Sequence, residues 1–436
     1  MIYLINQAYR SGSIKKKFVK KQTFYKKISK LRGDNMKRKI DFSVIFLLCI
    51  GILASIAFTG CSTGTVNIGG TGDDKKPLAS ITGTPEPVPT PEATPEPTPV
   101  PEAARKVKAL FLSSWPLSIQ SNVDHFIDLA NTTEINAYVI DIKDDTGYVS
   151  YPSEVPLVKE KGTYQSRFKI EEVVKQFKDN DIYVIGRIVC FKDPIISKKM
   201  PDWAVRNTSG GFLVHNGMTW VNAFDKEAWK YNIDIAKEAL AKGVDEIQFD
   251  YVRFPDGNKA NMVFPGRGDK ELYEGINEFL AYARSEMPDA VLSADVFGII
   301  CESPKDTEKI GQYLEYIGKD VDYISPMVYP SHYYSGQTIN KVVFAKPDLD
   351  PYNVVYNTLK KASDRIAAVP DYRAKVRPYL QDFTATWLGA GNYKKYGADD
   401  VRAQIKAVYD AGYEEWILWN STVKYSEDAL EKKNNR

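Results

Sequence analysis

The sequence predicts a closed (β/α)₈ barrel, in which eight parallel strands alternate with helices. From Lys108 onward, short runs of β-branched and aromatic residues alternate with amphipathic helical stretches, and eight such units extend to Ser421. Strands that alternate with helices need crossover connections, which make the sheet parallel. An open doubly wound sheet is the alternative. The chain contains neither GxGxxG nor GxxxxGK[ST], the phosphate-binding motifs typical of that class.

The eight predicted strands are short apolar runs bounded by polar or turn-forming residues. They comprise residues 108–113, 137–145, 182–191, 244–254, 291–299, 321–329, 375–383 and 414–421. Each is followed by a helical pattern, such as KIEEVVKQFKDN at residues 169–180, except the last. The barrel domain is therefore predicted to occupy residues 104–425, and a polar tail follows at residues 426–436.

Three segments precede the barrel domain. Residues 1–35 are interpreted as a basic extension or an upstream mis-start, because Met36 begins a more ordinary secretory signal. Residues 36–61 form that predicted signal, and residues 62–103 form a predicted disordered linker. Thr84–Glu102 within the linker contains eight prolines, which favour extended polyproline II and make a semi-rigid spacer.

The predicted signal combines basic residues, an apolar run and small residues before a cysteine. Basic residues at 36–39 precede the apolar run Phe42–Phe58, and Thr59 and Gly60 lead to Cys61. This arrangement resembles a bacterial lipobox, so Cys61 is the predicted lipidation site and the protein is expected on the extracellular face of the cell membrane. The alternative is a retained N-terminal transmembrane helix, since the run is only slightly shorter than a full span.

The distribution of charge argues against nucleic acid as a partner. Residues 1–39 carry 13 Lys and Arg against one acidic residue. Beyond Cys61 the chain carries 54 acidic and 45 basic side chains, a net charge near −9. A domain of that charge repels phosphate backbones.

Polar and aromatic side chains are concentrated at the ends of the predicted strands. In this barrel class the carboxyl ends of all strands meet at one face, where functional side chains lie. Side-chain alternation puts Gln248 and Asp250 on one face of the fourth strand, and Ser293 and Asp295 on one face of the fifth. If these faces point inward, two carboxyl groups converge. The other strand-end candidates are Asp141, Lys143, Arg187, Arg253, Tyr329, Gln381 and Trp419.

Two facing carboxyl groups in different surroundings are what the hydrolysis of a glycosidic bond requires. One protonates the leaving oxygen, while the other attacks the anomeric carbon or activates water. Asp250 is the predicted nucleophile or base, because Arg253 and Arg187 favour its ionised form. Asp295 has apolar neighbours in sequence and no adjacent base, so it is the predicted general acid. The alternative is that Asp250 only forms a salt bridge that closes the end of the barrel.

The seven remaining strand-end candidates are predicted to bind a polysaccharide or oligosaccharide substrate. Sugar rings have an apolar face that stacks on indole or phenol rings, and their hydroxyls bond to Asp, Gln and Arg. Trp419, at the end of the eighth strand, is the first candidate for stacking. No metal or other cofactor is predicted, because the three histidines are scattered and neither HExxH nor DxDxDG spacing occurs.

Five motifs in order support a resemblance to a known family: IVCFKDP, VDEIQFDYVRFPDG, VDYISPMVYPSHY, RPYLQDF and WILWNS. Over about residues 106–425 the chain resembles a bacterial family of secreted or membrane-anchored proteins with a glycoside hydrolase domain of unestablished activity. The resemblance implies a TIM barrel related to α-amylase-like and other retaining glycosidases. Their nucleophilic Asp commonly ends the fourth strand, as Asp250 does. Their acid is commonly a Glu ending the fifth strand, where this chain has Asp295, so Asp141 or a residue of the sixth strand is an alternative acid.

Two functions of different classes fit these observations. The first is a glycoside hydrolase that acts on an extracellular or cell-envelope polysaccharide. The second is a non-catalytic, glycan-binding surface lipoprotein on a degenerate barrel. The first requires Asp250 and Asp295 to face one pocket, and a separation above about 12 Å would remove it.

Overall fold

The computed structural model describes residues 105–433, and these residues form a closed parallel barrel. Its strands are β1 (Lys108–Leu112), β2 (Ala137–Lys143), β3 (Tyr183–Val189), β4 (Glu246–Asp250), β5 (Val291–Phe297), β6 (Tyr323–Met327), β7 (Tyr379–Gln381) and β8 (Trp416–Trp419). Every neighbouring pair is parallel, and β8 pairs with β1, so the sheet closes on itself. The fold class predicted from the sequence is therefore confirmed.

Helices cover the outside of the barrel. They are α1 (Gln120–Thr132), α2 (Pro156–Lys161), α3 (Ile170–Asp179), α4 (Ile196–Lys199), α5 (Lys226–Ala241), α6 (Leu272–Glu286), α7 (Leu314–Ile317), α8 (Pro351–Ile366) and α9 (Ala398–Asp410). In α3 the buried residues are Ile170, Val173, Val174 and Phe177, a spacing that puts one apolar stripe against the sheet. Among residues 105–433, no helix has both the length and the apolar character that crossing a membrane requires.

The predicted seventh strand, residues 375–383, is divided into two pieces. Lys375–Val376 pairs with β6, and β7 pairs with β6 and β8. Pro378 lies between the pieces and has no N–H group to donate to the ladder. Its carbonyl still accepts a hydrogen bond from the Ile417 N–H at 2.9 Å, so the barrel remains closed across the break.

Two long loops carry small antiparallel strand pairs. Arg206–Asn207, after β3, pairs with Met262–Val263, after β4. Gln337–Ile339 pairs with Val342–Phe344 in the loop after β6. We call the C-terminal ends of the strands, together with the loops that follow them, the barrel mouth. Both pairs belong to the mouth and build parts of its wall.

Polar side chains connect opposite strands inside the barrel below the mouth. Glu246 on β4 is fully buried and forms an ion pair with Arg377, which is also fully buried. One layer nearer the mouth, Gln248 accepts a hydrogen bond from the Tyr379 hydroxyl at 2.6 Å and donates one to Ser325 Oγ at 3.2 Å. The main apolar core lies instead between the strands and the helices.

The predictions for the front of the chain concern residues that are not described. Cys61 and the predicted segments 1–35, 36–61 and 62–103 lie outside residues 105–433. The predicted tail, residues 426–436, is described as far as residue 433.

Replacing Arg377 with methionine is expected to destabilise the barrel. Buried Glu246 would lose its cation, and removing one partner of a buried ion pair typically costs about 3–5 kcal/mol. Chemical denaturation followed by tryptophan fluorescence measures the change in the free energy of unfolding. Arg373→Met is the matched control, because Arg373 pairs with Asp322 at the surface, where such pairs contribute about 0–1 kcal/mol. An equal, small loss in both variants would contradict the structural role of Arg377.

Candidate active site

Arg187 on β3 lies between carboxyl groups of the neighbouring strands at the mouth. Its Nη1 donates to Asp141 Oδ1 on β2 at 2.6 Å, and its Nε and Nη2 donate to Asp250 Oδ2 on β4 at 2.9 and 2.5 Å. Asp145, in the loop after β2, lies 3.4 Å from Nη2. A guanidinium group keeps its proton and offers five donors, so it suits several carboxylates at once. We call these four residues, with Asp295, the Arg187 cluster.

Two aromatic rings hold the Arg187 guanidinium group from the other side. Its central carbon lies 5.5 Å from the ring centroid of Phe111 on β1 and 5.4 Å from that of Trp419 on β8. The two rings stack on each other, with centroids 4.0 Å apart. Cation–π attraction therefore fixes the guanidinium plane where β8 meets β1. Trp419 is half-buried and contributes part of its ring to this contact.

Asp295 on β5 lies beside Asp250 and faces the inside of the barrel. Phe249 is the register partner of Ala294, so the residues that follow them are neighbours on strands about 4.8 Å apart. Asp295 is 1% exposed, and its Oδ1 has no hydrogen-bond partner within residues 105–433. Burial, followed by the charge of Asp250, raises the pKa of Asp295 well above its usual value. The structure thus brings together the two predicted carboxyl groups and favours the protonated form of one.

Asp141 is a second acid with a raised pKa. Burial raises the pKa of Asp141 to about 7; the Arg187 charge opposes this rise and Asp145 adds to it. The cations beside the four carboxyl groups are Arg187 and Lys192, whose Nζ lies 3.3 Å from Asp145 Oδ1. Burial opposes the ionisation of Asp145, but these cations help to keep its pKa below the usual value. Asp141 and Asp295 are the members with raised pKa values, so each is placed to act as a proton donor.

Strand β4 ends in a strained turn that fixes Asp250. Tyr251 has a φ of 48°, which is rare for a bulky residue. Its N–H donates to Asp250 Oδ1 at 2.5 Å, and its hydroxyl accepts a hydrogen bond from Lys192 Nζ at 3.0 Å. Such strain costs roughly 1–3 kcal/mol and persists where surrounding contacts hold it, commonly at functional sites.

Two further predicted residues lie at the same end of the barrel. Tyr329 is buried close to the cluster: burial, then the charges of Asp295 and Asp250, raise the pKa of its hydroxyl well above the usual value. The Arg253 guanidinium carbon lies 4.5 Å from the ring centroid of Phe297, two positions after Asp295 on β5. Tyr329 and Arg253 therefore lie close to the Arg187 cluster.

Lys143 and Gln381 lie outside the cluster. The register of β2 against β3 shifts between Asp141 and Lys143. Lys143 has no exposed surface, and its Nζ pairs with Asp193 Oδ2 at 2.9 Å. Gln381 accepts from the Ser331 N–H at 3.1 Å and donates to Asp348 Oδ1 at 3.0 Å. Their polar groups hold the loops after β3 and β6, so neither is available for its predicted substrate contact.

Two members of the site were not predicted from the sequence. Asp145 is the last residue of the predicted second strand, and Lys192 directly follows the predicted third strand. Both lie where a strand ends, and side-chain alternation does not predict the direction of a side chain beyond that point. The IVCFKDP motif, which contains Lys192, was the available signal.

Two tryptophans at the mouth are exposed to solvent. Trp115, after β1, is 61% exposed, and Trp387, after β7, is 42% exposed. The guanidinium carbon of Arg167 lies 5.2 Å from the Trp115 ring centroid, and Trp387 stacks on Phe383 with centroids 5.9 Å apart. Contiguous exposed apolar surface often marks a binding site, and each of these rings packs beside a second planar group. These two follow strands on either side of β8, which carries Trp419.

Each of the three histidines contacts a different part of the structure. His125 pairs with Glu427 at the surface, His215 lies 3.1 Å from Asp256 Oδ1, and His332 packs against aromatic rings. Within residues 105–433, no group of three or more His, Cys, Asp or Glu side chains is arranged to hold a metal ion.

Comparisons with known proteins give one family and several solved structures. Residues 109–425 match the model of a family described as "Putative glycosyl hydrolase domain". No curated protein matches the chain. A hypothetical protein from Ruminiclostridium thermocellum ATCC 27405 is 55% identical, with a TM-score of 0.42, and the match covers 44% of this chain and 99% of that one.

Two solved structures of lower identity carry functional names. The PgaB (BpsB) glycoside hydrolase domain from Bordetella bronchiseptica is 14% identical, with a TM-score of 0.53, covering 72% of this chain and 94% of that one. The α-galactosidase TtGalA from Thermus thermophilus is 12% identical, with a TM-score of 0.43, covering 73% and 59% respectively. The likeness to the Bordetella domain is one of fold.

Replacing Asp141 with asparagine is expected to flatten the pH dependence of stability. Because folding raises the pKa of Asp141 from 3.8 to about 7, its contribution is complete below the lower value and is lost as pH rises through the higher one. One such group changes the free energy of unfolding by at most about 1.4 kcal/mol per pH unit. Urea denaturation at intervals between these two pH values measures the slope.

Asp128→Asn is the control for this experiment, because Asp128 is an exposed carboxylate on α1. The Asp128→Asn protein should show the same slope as the wild-type protein. Equal slopes for the wild-type protein and Asp141→Asn would show that Asp141 does not take up a proton on folding.

Proposed function

Because the chain belongs to the family of glycosyl hydrolase domains whose model matches residues 109–425, we propose that it hydrolyses a glycosidic bond in an extracellular or cell-envelope polysaccharide. One observation carries the proposal: Asp250 and Asp295 lie side by side on β4 and β5, in different surroundings. Arg187 and the Tyr251 N–H hold Asp250, whereas Asp295 is buried and keeps an oxygen without a partner within residues 105–433.

These surroundings divide the two roles. Asp295 donates its proton to the glycosidic oxygen as the bond to the anomeric carbon breaks, and Asp250 forms a bond to that carbon. Water then attacks the same carbon and releases Asp250, while its proton returns to Asp295. Neighbouring positions on strands about 4.8 Å apart favour this retaining route, which needs a carboxyl separation of roughly 5–5.5 Å.

Arg187 supports this division of roles. A charge-assisted hydrogen bond stabilises the anionic form of the carboxyl group that accepts it. Asp250 accepts two such bonds from Arg187, which suits it to the role of nucleophile. Asp141 shares the same guanidinium group, which therefore keeps a carboxyl partner while Asp250 is bonded to a sugar.

The exposed aromatic rings at the mouth support a polymeric substrate. Trp115 and Trp387 lie on loops on either side of the strand that carries Trp419. Sugar rings stack on indole faces through their apolar sides. Rings on both sides of β8 offer separate stacking surfaces at the mouth, which suits a chain of several sugar units.

The proposal predicts that Asp250→Asn abolishes hydrolysis while the protein stays folded. The wild-type protein, incubated with a panel of bacterial cell-wall and secreted polysaccharides, should release reducing ends from at least one of them. Loss of the nucleophile should then lower the rate by about 10⁴-fold or more. Asp382→Asn is the matched control, because Asp382 also follows a barrel strand but bonds to Ser426, outside the cluster.

Asp295→Asn provides a separate test of the general acid. Loss of an acid lowers the rate by about 10²–10⁴-fold on natural glycosides, and by much less on dinitrophenyl glycosides, whose leaving group needs no proton. The same pattern in Asp141→Asn instead would assign the acid to Asp141. Binding of a polysaccharide without any release of reducing ends would support the non-catalytic alternative, and full activity in Asp250→Asn would contradict the proposal.

We also propose that a lipid on Cys61 holds the protein on the extracellular face of the cell membrane. The basic, apolar and small residues of 36–61 support this, and the proline-rich residues after them suit a spacer. Cys61→Ser is expected to abolish the incorporation of a labelled fatty acid into the protein. Cys49→Ser, within the apolar run, is the control and should keep the label. A wild-type protein that takes up no label and retains residues 36–61 would favour a transmembrane helix.

A further inference from the structure

Arg253 lies beside the Arg187 cluster among three aromatic rings. Its guanidinium carbon is 4.5 Å from the ring centroid of Phe297, 4.9 Å from that of Trp220 and 5.1 Å from that of Tyr251. The rings come from β5, from the loop after β3 and from the end of β4. We call these four residues the Arg253 box. Rings packed around a guanidinium group fix its orientation.

The hydrogen bonds within residues 105–433 use only one nitrogen of Arg253. Nη1 donates to the Phe254 carbonyl at 3.0 Å and lies 3.5 Å from Asp256 Oδ1. Nε and Nη2 form no hydrogen bond with any of the described residues. Neither of the two atoms is fully buried, so both are accessible to solvent. These two nitrogens form one edge of the guanidinium fork, which matches the two oxygens of a carboxylate or sulfate.

A second donor in the Arg253 box is also unused. Trp220 is 2% exposed, and its Nε1 has no hydrogen-bond partner within the described part of the chain. A buried donor without a partner costs about 1–3 kcal/mol, so most such groups in proteins are satisfied. The accessible Nε and Nη2 of Arg253 therefore offer donors to an acceptor, beside a buried Trp220 Nε1 that is also unused.

Charged groups of both signs surround the Arg253 box. Asp256 Oδ1 lies 3.5 Å from Arg253 Nη1, and it is shared with His215, whose Nε2 lies 3.1 Å away. Burial opposes its ionisation, but the His215 hydrogen bond and the Arg253 charge keep the pKa of Asp256 below its usual value. Lys259 is a second cation, and burial lowers the pKa of its amine to about 8 although Asp256 opposes this. Asp306 also acts on Lys259, so the argument for an oxyanion rests on the accessible edge of the Arg253 fork and not on an excess of positive charge.

The Arg253 box adjoins the carboxyl pair on the mouth side. Phe297 follows Asp295 by two positions, so both side chains lie on the inward face of β5 and Phe297 is one layer nearer the mouth. Tyr251 directly follows Asp250. A group held by the box would therefore sit next to a sugar at Asp250 and Asp295.

We propose that the Arg253 box binds an oxyanion, a carboxylate or a sulfate ester, on a sugar unit next to the cleaved bond, so that the substrate is an acidic polysaccharide. The position of that bond rests on the proposed function, whereas binding of the anionic sugar does not. The paired N–H edge of Arg253 recognises the two oxygens, and the aromatic rings hold the fork in place.

Calorimetric titration of the full chain in detergent at low salt tests the binding step. The probes are D-glucuronate, D-glucose 6-sulfate and neutral D-glucose. At least one anionic sugar should bind about 10-fold or more tightly than D-glucose, as expected for a bidentate, charge-assisted contact. Preference for D-glucuronate alone would assign a carboxylate, and preference for D-glucose 6-sulfate alone would assign a sulfate ester.

Variants separate recognition from folding. Arg253→Gln should remove the preference, and Arg253→Lys, which keeps the cation but not the fork, should weaken it several-fold. Arg206→Gln is the matched control, because the Arg206 guanidinium carbon lies 5.2 Å from the Phe212 ring centroid in the same loop wall. It should keep the full preference. Circular dichroism confirms that each variant is folded.

Two results would overturn the inference: equal affinity of the wild-type protein for the three sugars, or a preference that survives in both Arg253 variants. If the protein hydrolyses polysaccharides, Arg253→Gln should lower kcat/KM about 10–100-fold for an acidic polysaccharide and leave a neutral one unaffected. An Arg253-dependent preference without any hydrolysis would refute the proposed function and keep this inference. Hydrolysis with no preference for anionic sugars would support the proposed function and refute this inference.

Discussion

The mouth of this barrel depends on one buried guanidinium group. Arg187 holds Asp141 and Asp250 on the strands to either side, while Phe111 and Trp419 hold the guanidinium plane from the first and last strands. Arg187 keeps its positive charge at all relevant pH values, and the carboxyl groups around it outnumber the nearby cations. They therefore divide into ionised and protonated groups, and this division gives neighbouring carboxyl groups different chemistry.

The barrel interior contains polar groups at several depths beside an apolar cluster, and nearly all of these polar groups are paired. Glu246 pairs with Arg377 at the bottom, and Gln248 bonds to Tyr379 and Ser325 above them. Burying polar groups is tolerated when each one has a partner. Among the described residues, Asp295 Oδ1 is the one buried carboxylate oxygen that lacks a partner. The exception occurs beside Asp250, which is where a reacting group would be needed.

The sequence predicted the fold and the central carboxyl groups because both follow from regular periodicity. Strand and helix patterns fix the order of units, and alternation within a strand fixes the inward face of Asp250 and Asp295. Lys143 lies outside the Arg187 cluster because the register of β2 shifts just before it. Gln381 lies outside this cluster because its partners, Ser331 and Asp348, come from a distant loop whose path no local pattern specifies.

A buried ion pair lies beside the break in the seventh strand. Pro378 leaves one rung of the ladder without a donor, and Arg377 beside it reaches across the lumen to Glu246 on β4. An ion pair therefore ties the interrupted seventh strand to β4. The hydration of charged groups weakens on heating, so the penalty for burying such a pair falls, whereas hydrophobic stabilisation levels off. The contribution of the Glu246–Arg377 ion pair to stability should therefore fall less in a warm habitat than that of apolar contacts alone.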